Sequence, residues 1–466
     1  MRLLLVAYDF PPMPSPQAIR WAYLARELAN AGHDVQVLAP DLVSRGPGMP
    51  ELPASVVVHR VYPGPLAGFV ASRQRRQPQG AIDDSVTEWN VSTDGLNWKG
   101  RLRDRTEKLI KRRFAHGLNW KGHVMEVLKA IEAFVLYPDA RTEWLPWARK
   151  RLDAVLDEFR PDAVITSHEP ANTLQLGLQA RERGFRWIAD LGDPVLAPYT
   201  PRRWRRRAHR IERATCERAD LVTVTSARTC ALLAERHGLP RERCLVLTQG
   251  YDATFDPTSL PVPAFDPQRL ELLYTGSFYA FRRVDALLHA IAATPGVRLN
   301  IASAHVPSAI VEVAATQPGQ VRLFGFVSHR RALALQRKCD VLVNIANDDP
   351  VQVPGKLYEY LGAGAPILQV GGIDDDAGAQ LVRDAGLGWC ERGDADALAA
   401  RLRALLDEKA RNGRVARPGN AGYDITRHAW HRLASTLVRA IETEPRNDHA
   451  HADANEAPRI AIRGHR

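Results

Sequence analysis

Between Pro354 and Leu368 the chain reads Pro-Gly-Lys-Leu-Tyr-Glu-Tyr-Leu-Gly-Ala-Gly-Ala-Pro-Ile-Leu. This pattern is a tight turn, a short helix with one acid, a glycine break and a buried strand. Backbone N–H groups at Gly355 and Lys356, together with the positive end of the helix dipole, suit an anion. Glu359 lies one turn further in, where its carboxylate can accept two hydroxyl protons of a ribose. Gly364 lets the backbone approach a ligand closely. Lys356 either assists a diphosphate or pairs with a helix-end carbonyl. Backbone N–H groups from Val351 to Gly355, Val353 among them, lie within reach of sugar hydroxyls.

A second set of candidates follows other strand-like segments. Tyr274-Thr275-Gly276-Ser277-Phe278-Tyr279 leads to Arg282-Arg283, a cation pair that suits a phosphate or a charged helix start. His168 stands in Ser167-His168-Glu169-Pro170, just after a strand. Asp190 and Asp193 either orient a ligand or hold loop geometry, and Asp193-Pro194 is also ordinary turn chemistry. Ser15 lies in a proline-rich loop, and Arg20 at the helix entry behind it is placed to meet a phosphate across a cleft. Asp374-Asp375-Asp376 reads as helix capping rather than a metal site. Ser226 and Ser303 lack a Gly-x-Ser-x-Gly context, which argues against a serine hydrolase.

These groups need a scaffold. With 466 residues the chain is long enough for about two to three domains, each with its own core. The net charge of +10 fits either a solvated arginine-rich surface or an anionic partner. The five cysteines are scattered and form no Cys-x-x-Cys pair, which argues for a reducing compartment and against structural zinc. Met1 to Phe10 is too short for a signal peptide, and no run of about 18 uncharged apolar residues is present, so no membrane span is expected. The expected location is cytoplasmic, with peripheral contact to an inner membrane face as a further expectation.

The pattern of elements is α/β. Leu3 to Tyr8, Val35 to Leu38, Ala163 to Thr166, Trp187 to Asp190, Leu221 to Thr225 and Cys244 to Thr248 read as strands. Helical spacing at Ile19 to Ala31 and Asn172 to Arg183 lies between some of them, as in a parallel sheet covered by helices. Prolines 257, 261, 263 and 267 mark a linker. A second α/β half follows, with strands at Leu270 to Thr275, Val297 to Ala302, Val321 to Phe324, Val341 to Ile345 and Pro366 to Val370. The domain reading is 1–258, then 259–425, a helix over 426–442 crossing back, and a disordered tail over 443–466.

Residues 72–122 fit neither half. They are basic and carry Gly-Leu-Asn-Trp-Lys-Gly twice, at Gly95 and Gly117. The spacing puts Trp98 and Trp120 on one helical face among cations, as on a membrane-surface helix, or else packs both tryptophans on the body. Arg202-Arg203-Trp204-Arg205-Arg206-Arg207 is a second cationic run. No nucleic-acid motif accompanies either run, so no nucleic-acid partner is expected.

Taken in order, Tyr8-Asp9-Phe10-Pro11-Pro12, Arg20, Gly32-His33-Asp34-Val35, Ser167-His168-Glu169-Pro170, Asp190 to Pro194, Tyr274 to Tyr279 and Gly355-Lys356-Leu357-Tyr358-Glu359-Tyr360 resemble the retaining glycosyltransferases of family 4. The likeness spans about residues 1–442 outside the basic insertion. It implies the GT-B fold, in which two Rossmann-like doubly wound domains face a central cleft. It also implies a nucleoside diphosphate sugar as donor and a saccharide or lipid-linked acceptor in surface polysaccharide or glycolipid synthesis, with no metal and no cofactor. By this resemblance Arg283 falls where the family has a diphosphate-contacting lysine, with Arg282 beside it. Glu359 matches the second glutamate of the Glu-x7-Glu motif, and His168 matches a histidine near the donor sugar. Gly276, Ser277, Val353, Gly355 and Lys356 complete the donor set, while Ser15, Arg20, Asp190 and Asp193 face the acceptor or the cleft. Three positions depart from the pattern. Val351 replaces the first glutamate, Ser277 follows Gly276 where arginine is common, and Ser15-Pro16 replaces a glycine pair. Two other readings remain: a GT-B nucleotide-sugar epimerase, and a non-catalytic subunit that binds a sugar nucleotide or a membrane.

Overall fold

The computed structural model describes residues 1–43, 49–76, 140–198, 200–278, 283–347, 353–420 and 422–443. The first half runs β1 (Arg2–Val6), α1 (Pro16–Asn30), β2 (Asp34–Pro40), β3 (Val57–Val61), α2 (Pro65–Arg76), α3 (Leu145–Phe159), β4 (Ala163–Ser167), α4 (Thr173–Glu182), β5 (Trp187–Gly192), α5 (Arg205–Arg218), β6 (Leu221–Val224), α6 (Ala227–His237) and β7 (Cys244–Val246). Its strands lie in the order β3-β2-β1-β4-β5-β6-β7. Every neighbouring pair is parallel. Strands buried on both faces need near-continuous apolar sequence, and Leu3-Leu4-Leu5-Val6 supplies it at the centre of the sheet.

The second half runs β8 (Leu270–Thr275), α7 (Asp285–Ala292), β9 (Val297–Ala302), α8 (Ser308–Thr316), β10 (Val321–Gly325), α9 (His329–Gln336), β11 (Val341–Ile345), α10 (Gly355–Ala363), β12 (Ile367–Val370), α11 (Ala377–Asp384), β13 (Gly388–Glu391) and α12 (Ala395–Asn412). The strand order is β10-β9-β8-β11-β12-β13, again parallel throughout. In each sheet the strand order reverses beside the first strand, at β1/β4 and at β8/β11. That reversal opens a crevice at the carboxyl ends of the strands, where ligands of doubly wound sheets bind.

A last helix, α13 (Trp430–Thr443), returns to the first half. Trp430, Leu433, Leu437 and Ile441 join the core formed by Leu3, Leu5, Trp21, Leu24 and Leu28. The chain therefore passes between the halves twice, and the two passages touch. Tyr251 pairs with Ala429 as an isolated parallel bridge. Tyr251 N donates to His428 O, and Trp430 N donates to Tyr251 O, both at 3.1 Å. The sequence pattern predicts one helix from Thr426. Instead a 3₁₀ turn over Ile425–His428 ends at this bridge, because Tyr251 takes the backbone groups a continuous helix would use. Gly250 makes the approach possible: a Cβ there would lie 2.7 Å from His428 O and 2.8 Å from Trp430.

Three sequence expectations meet particular outcomes. Asp376 caps α11, its carboxylate accepting from Ala379 N at 2.6 Å, while Asp374 pairs with Arg392. The cysteines are not all apart: Cys230 on α6 and Cys244 on β7 are brought face to face, with Cα atoms 6.1 Å apart. Spacing alone hides this pair because the strand-helix packing, not the sequence, brings the residues together. The hexapeptide repeat with Trp98 and Trp120, and the tail from 444, lie outside the described residues.

Candidate functional site

Site residues of the first half follow the ends of β4 and β5. His168 is buried, and its Nδ1 lies 3.0 Å from the Leu191 carbonyl. A carbonyl only accepts, so Nδ1 carries the proton and Nε2 is left as an acceptor. Burial lowers the His168 pKa, with the neighbouring Glu169 opposing, and the imidazole stays neutral. Gln17 Nε2 donates to the His168 carbonyl at 3.1 Å and ties α1 to this loop. His168 lines a pocket with Arg141, Glu169, Pro194, Thr200 and Trp204. Asp193 is half-buried in the adjoining loop. Ser15 is the N-cap of α1, accepting from Ala18 N at 3.0 Å, with Pro16 opening the helix.

Arg20 and Asp190 are not on the cleft. Both side chains are fully buried and pair at 3.1 Å. Arg20 also donates to the carbonyls of Thr248 and Leu247, at 2.6 and 2.9 Å. Asp190 accepts further from Trp21 Nε1 at 3.0 Å and Thr223 Oγ1 at 2.6 Å. The expectation that Arg20 meets a phosphate gives way to an internal role. A guanidinium inside the sheet-helix interface needs a carboxylate and carbonyls, and here it has them.

The second half assembles its groups around α10. Gly276 follows β8 with φ 103°, a conformation that favours glycine, and Gly276 and Ser277 are both exposed. A Cβ on Gly276 would sit 3.8 Å from Lys356 Cδ, so this turn and the start of α10 are neighbours. Lys356 Nζ lies 3.5 Å from the centre of the Tyr274 ring, a cation–π contact that fixes the side chain beside the turn. Gly355 opens α10 and faces Gln249 of the passage from the first half, where a Cβ would come within 3.4 Å. Val353 and Gly355 are half-buried, and Arg283 is exposed. Arg282 lies outside the described residues.

Glu359 is one turn into α10, with its side chain 20% exposed. Gln336 Nε2 donates to Glu359 Oε2 at 3.4 Å, and His329 Nδ1 stands 3.7 Å from Oε1. Gln336 Nε2 also reaches Thr275 Oγ1 at 3.1 Å, and Thr275 N donates to Tyr360 OH at 3.1 Å. The end of β8, the end of α9 and the middle of α10 are thus bound around one carboxylate. On the far side His329 Nε2 lies 3.2 Å from Tyr23 OH of the first half. Sequence reasoning missed His329, Gln336 and Thr275, because no local spacing links them to Glu359. It also missed Arg141, which lies far from His168 in sequence. Among the described residues no three His, Cys, Asp or Glu side chains form a metal-ligand group.

This arrangement can hold an anion at the α10 start, a diol at Glu359, and a polar group at neutral His168. The Glycosyltransferase Family 4 model matches residues 112–255. Several solved structures share the fold. Sucrose-phosphate synthase of Thermosynechococcus elongatus is 16% identical with a TM-score of 0.55, over 98% of each chain. Anabaena HepE in complex with UDP is 11% identical with a TM-score of 0.58, over 95% of this chain and 100% of that one. WaaG, a glycosyltransferase involved in lipopolysaccharide biosynthesis, is 15% identical with a TM-score of 0.51, over 98% and 100%. No curated protein sequence matches the chain.

Proposed function

We propose that the chain is a glycosyltransferase of the family 4 type and that it moves a sugar, with retention, from a nucleoside diphosphate donor to a saccharide or lipid-linked acceptor. The carrying observation is the cluster at the carboxyl edge of the second sheet, where Gly276, Lys356 and Glu359 are drawn together. HepE has been seen with UDP and with glucose, which favours uridine as the first donor base to test. In this reading Glu359 accepts from the ribose hydroxyls. The backbone N–H groups of Gly355 and Lys356 meet the diphosphate, and Arg283 and Arg282 stabilise its charge.

The bond between the anomeric carbon and the diphosphate oxygen breaks as the acceptor oxygen bonds to the same face. The acceptor proton leaves with the departing phosphate oxygen. Cations and a helix start stabilise the growing charge, so the reaction needs no metal and no cofactor. Neutral His168 positions the sugar and faces the pocket that receives the acceptor. The enzyme would act in the cytoplasm, at a membrane that carries the acceptor. Among the described residues no helix is long and apolar enough to cross a membrane.

Saturation-transfer NMR against UDP-, GDP- and dTDP-sugars tests the donor site, with Glu359→Ala alongside. The expected result is selective binding of one donor that weakens at least tenfold in the variant. Binding that is equal in both proteins removes Glu359 from the site. Product formation without acceptor would favour an epimerase, and donor binding without transfer or hydrolysis would favour a non-catalytic subunit.

A further inference from the structure

Helix α2 exposes an apolar face. Ala71 is its buried residue, whereas Phe69 and Val70 are 52% and 48% exposed. A surface helix ordinarily turns such side chains inward. The helix is nonetheless firmly anchored. Glu143 caps its start, accepting from Leu66 N at 2.9 Å and Ala67 N at 2.6 Å. Tyr62 lies against Gly68, where a Cβ would come within 2.6 Å of the ring. Tyr62 in turn packs edge-on against Trp147 of α3, with ring centres 5.0 Å apart. Tyr62 and Trp147 remain 46% and 40% exposed. Four large apolar side chains are thus exposed on α2 and on the Tyr62–Trp147 pair that packs against its Gly68.

Charge indicates what covers them. The last turn of α2 carries Arg73, Arg75 and Arg76, all exposed. Arg73 sits over the Phe69 ring at 5.2 Å, and Arg75 pairs with Asp41 at 2.5 Å. A second copy of this chain packed symmetrically on the face would bring like cations together. An anionic lipid surface would take both the arginines and the apolar side chains. The site lies close by. The short turn Ala140–Trp144 contributes Arg141 to the His168 pocket and Glu143 to the α2 cap. Across that pocket, Trp204 lies among the exposed Arg202, Arg203, Arg205 and Arg206.

We propose that the α2 face, with Tyr62 and Trp147, is the surface that seats the chain on an anionic lipid bilayer beside the His168 pocket. This deepens the membrane contact of the proposed function, and it assigns that contact to residues other than Trp98 and Trp120.

The test is co-sedimentation of the full chain with phosphatidylcholine vesicles, with and without phosphatidylglycerol. The wild type should partition about tenfold more into the anionic vesicles. Phe69→Asp with Val70→Asp, and separately Arg73→Glu with Arg76→Glu, should each remove about tenfold of that binding. Neither pair touches the donor cluster, so donor binding by NMR should be unchanged, which keeps this test separate from the test of the sugar-nucleotide site. Anionic-vesicle binding that survives both pairs overturns the proposal and puts the contact elsewhere, as in residues 77–139. So does a wild type with no preference for anionic vesicles. A dimer seen by light scattering and lost in the Phe69/Val70 pair would also overturn it, in favour of self-association.

Discussion

Two carboxylates, one in each half, are held in opposite ways. Asp190 is fully buried and accepts from Arg20, Trp21 and Thr223 at 2.6 to 3.1 Å. Glu359 is partly open, and its two neighbours stand at 3.4 and 3.7 Å. A carboxylate surrounded at short range has no room for a ligand, whereas one held loosely by long contacts can exchange them for ribose hydroxyls. Both residues look equally functional in the sequence, and only the density of their partners separates a structural acid from a binding one.

Arg20→Met tests the structural side hardest. It leaves Asp190 charged and buried, which should cost about 3–5 kcal/mol in urea unfolding. Donor affinity per folded molecule should hold. A stable Arg20→Met protein that no longer binds donor would erase the contrast.

A pH scan reaches the passage between the halves. His428 Nδ1 donates to Thr248 Oγ1 at 2.9 Å, while Nε2 accepts from Tyr423 OH at 2.9 Å and from Arg427 Nε at 3.2 Å. Burial, and secondarily Arg427, lower its pKa from 6.5 to about 4. The unfolded histidine takes up a proton below pH 6.5 and the folded one only near pH 4. Stability from this residue is therefore complete above pH 6.5 and is lost as the pH falls towards 4, by about 3 kcal/mol in all. His428→Gln should flatten that part of the unfolding profile. An unchanged profile would mean that His428 is not held neutral.

Gly250→Ala should cost about 2 kcal/mol, because the new methyl group meets a backbone carbonyl and two core side chains. Thermal unfolding reads it directly. The smallest stability effect belongs to the binding side. Glu359→Gln should change stability by less than about 0.5 kcal/mol, because the amide keeps the shape of a partly open side chain whose contacts are long. It should still weaken donor binding about tenfold in calorimetry, through the lost charge on the hydrogen bonds. A large stability loss here would make Glu359 a second Asp190.

The sequence reveals the central strands of both sheets because burial on two faces demands uninterrupted apolar runs such as Leu3 to Val6. The edge strands β3 and β13 escape that signal. Val57-Val58-His59-Arg60-Val61 and Gly388-Trp389-Cys390-Glu391 are only partly covered, so their composition is mixed. Glu359, Lys356 and Gly355 are legible because one helix start holds all three. The Arg20–Asp190 pair is not, since its members are 170 positions apart and each also suits a cleft. His329 and Gln336 stay hidden for the same reason: a neighbouring helix, not a neighbouring residue, brings them to Glu359.

The Tyr251–Ala429 bridge has a mechanical consequence. Two connections separated along the rim of a cleft would tether the halves like a door fixed at both edges. Here both connections run side by side and are hydrogen-bonded, so they act as one hinge pin. The second half can swing about that pin without stretching either strand, while sliding or twisting would break the bridge. Opening and closing then reduce to a single rotation. The Tyr23–His329 contact lies beside the pin, where the Tyr23 ring stacks on Trp430 with centres 5.4 Å apart, so it joins the halves close to the axis of that rotation.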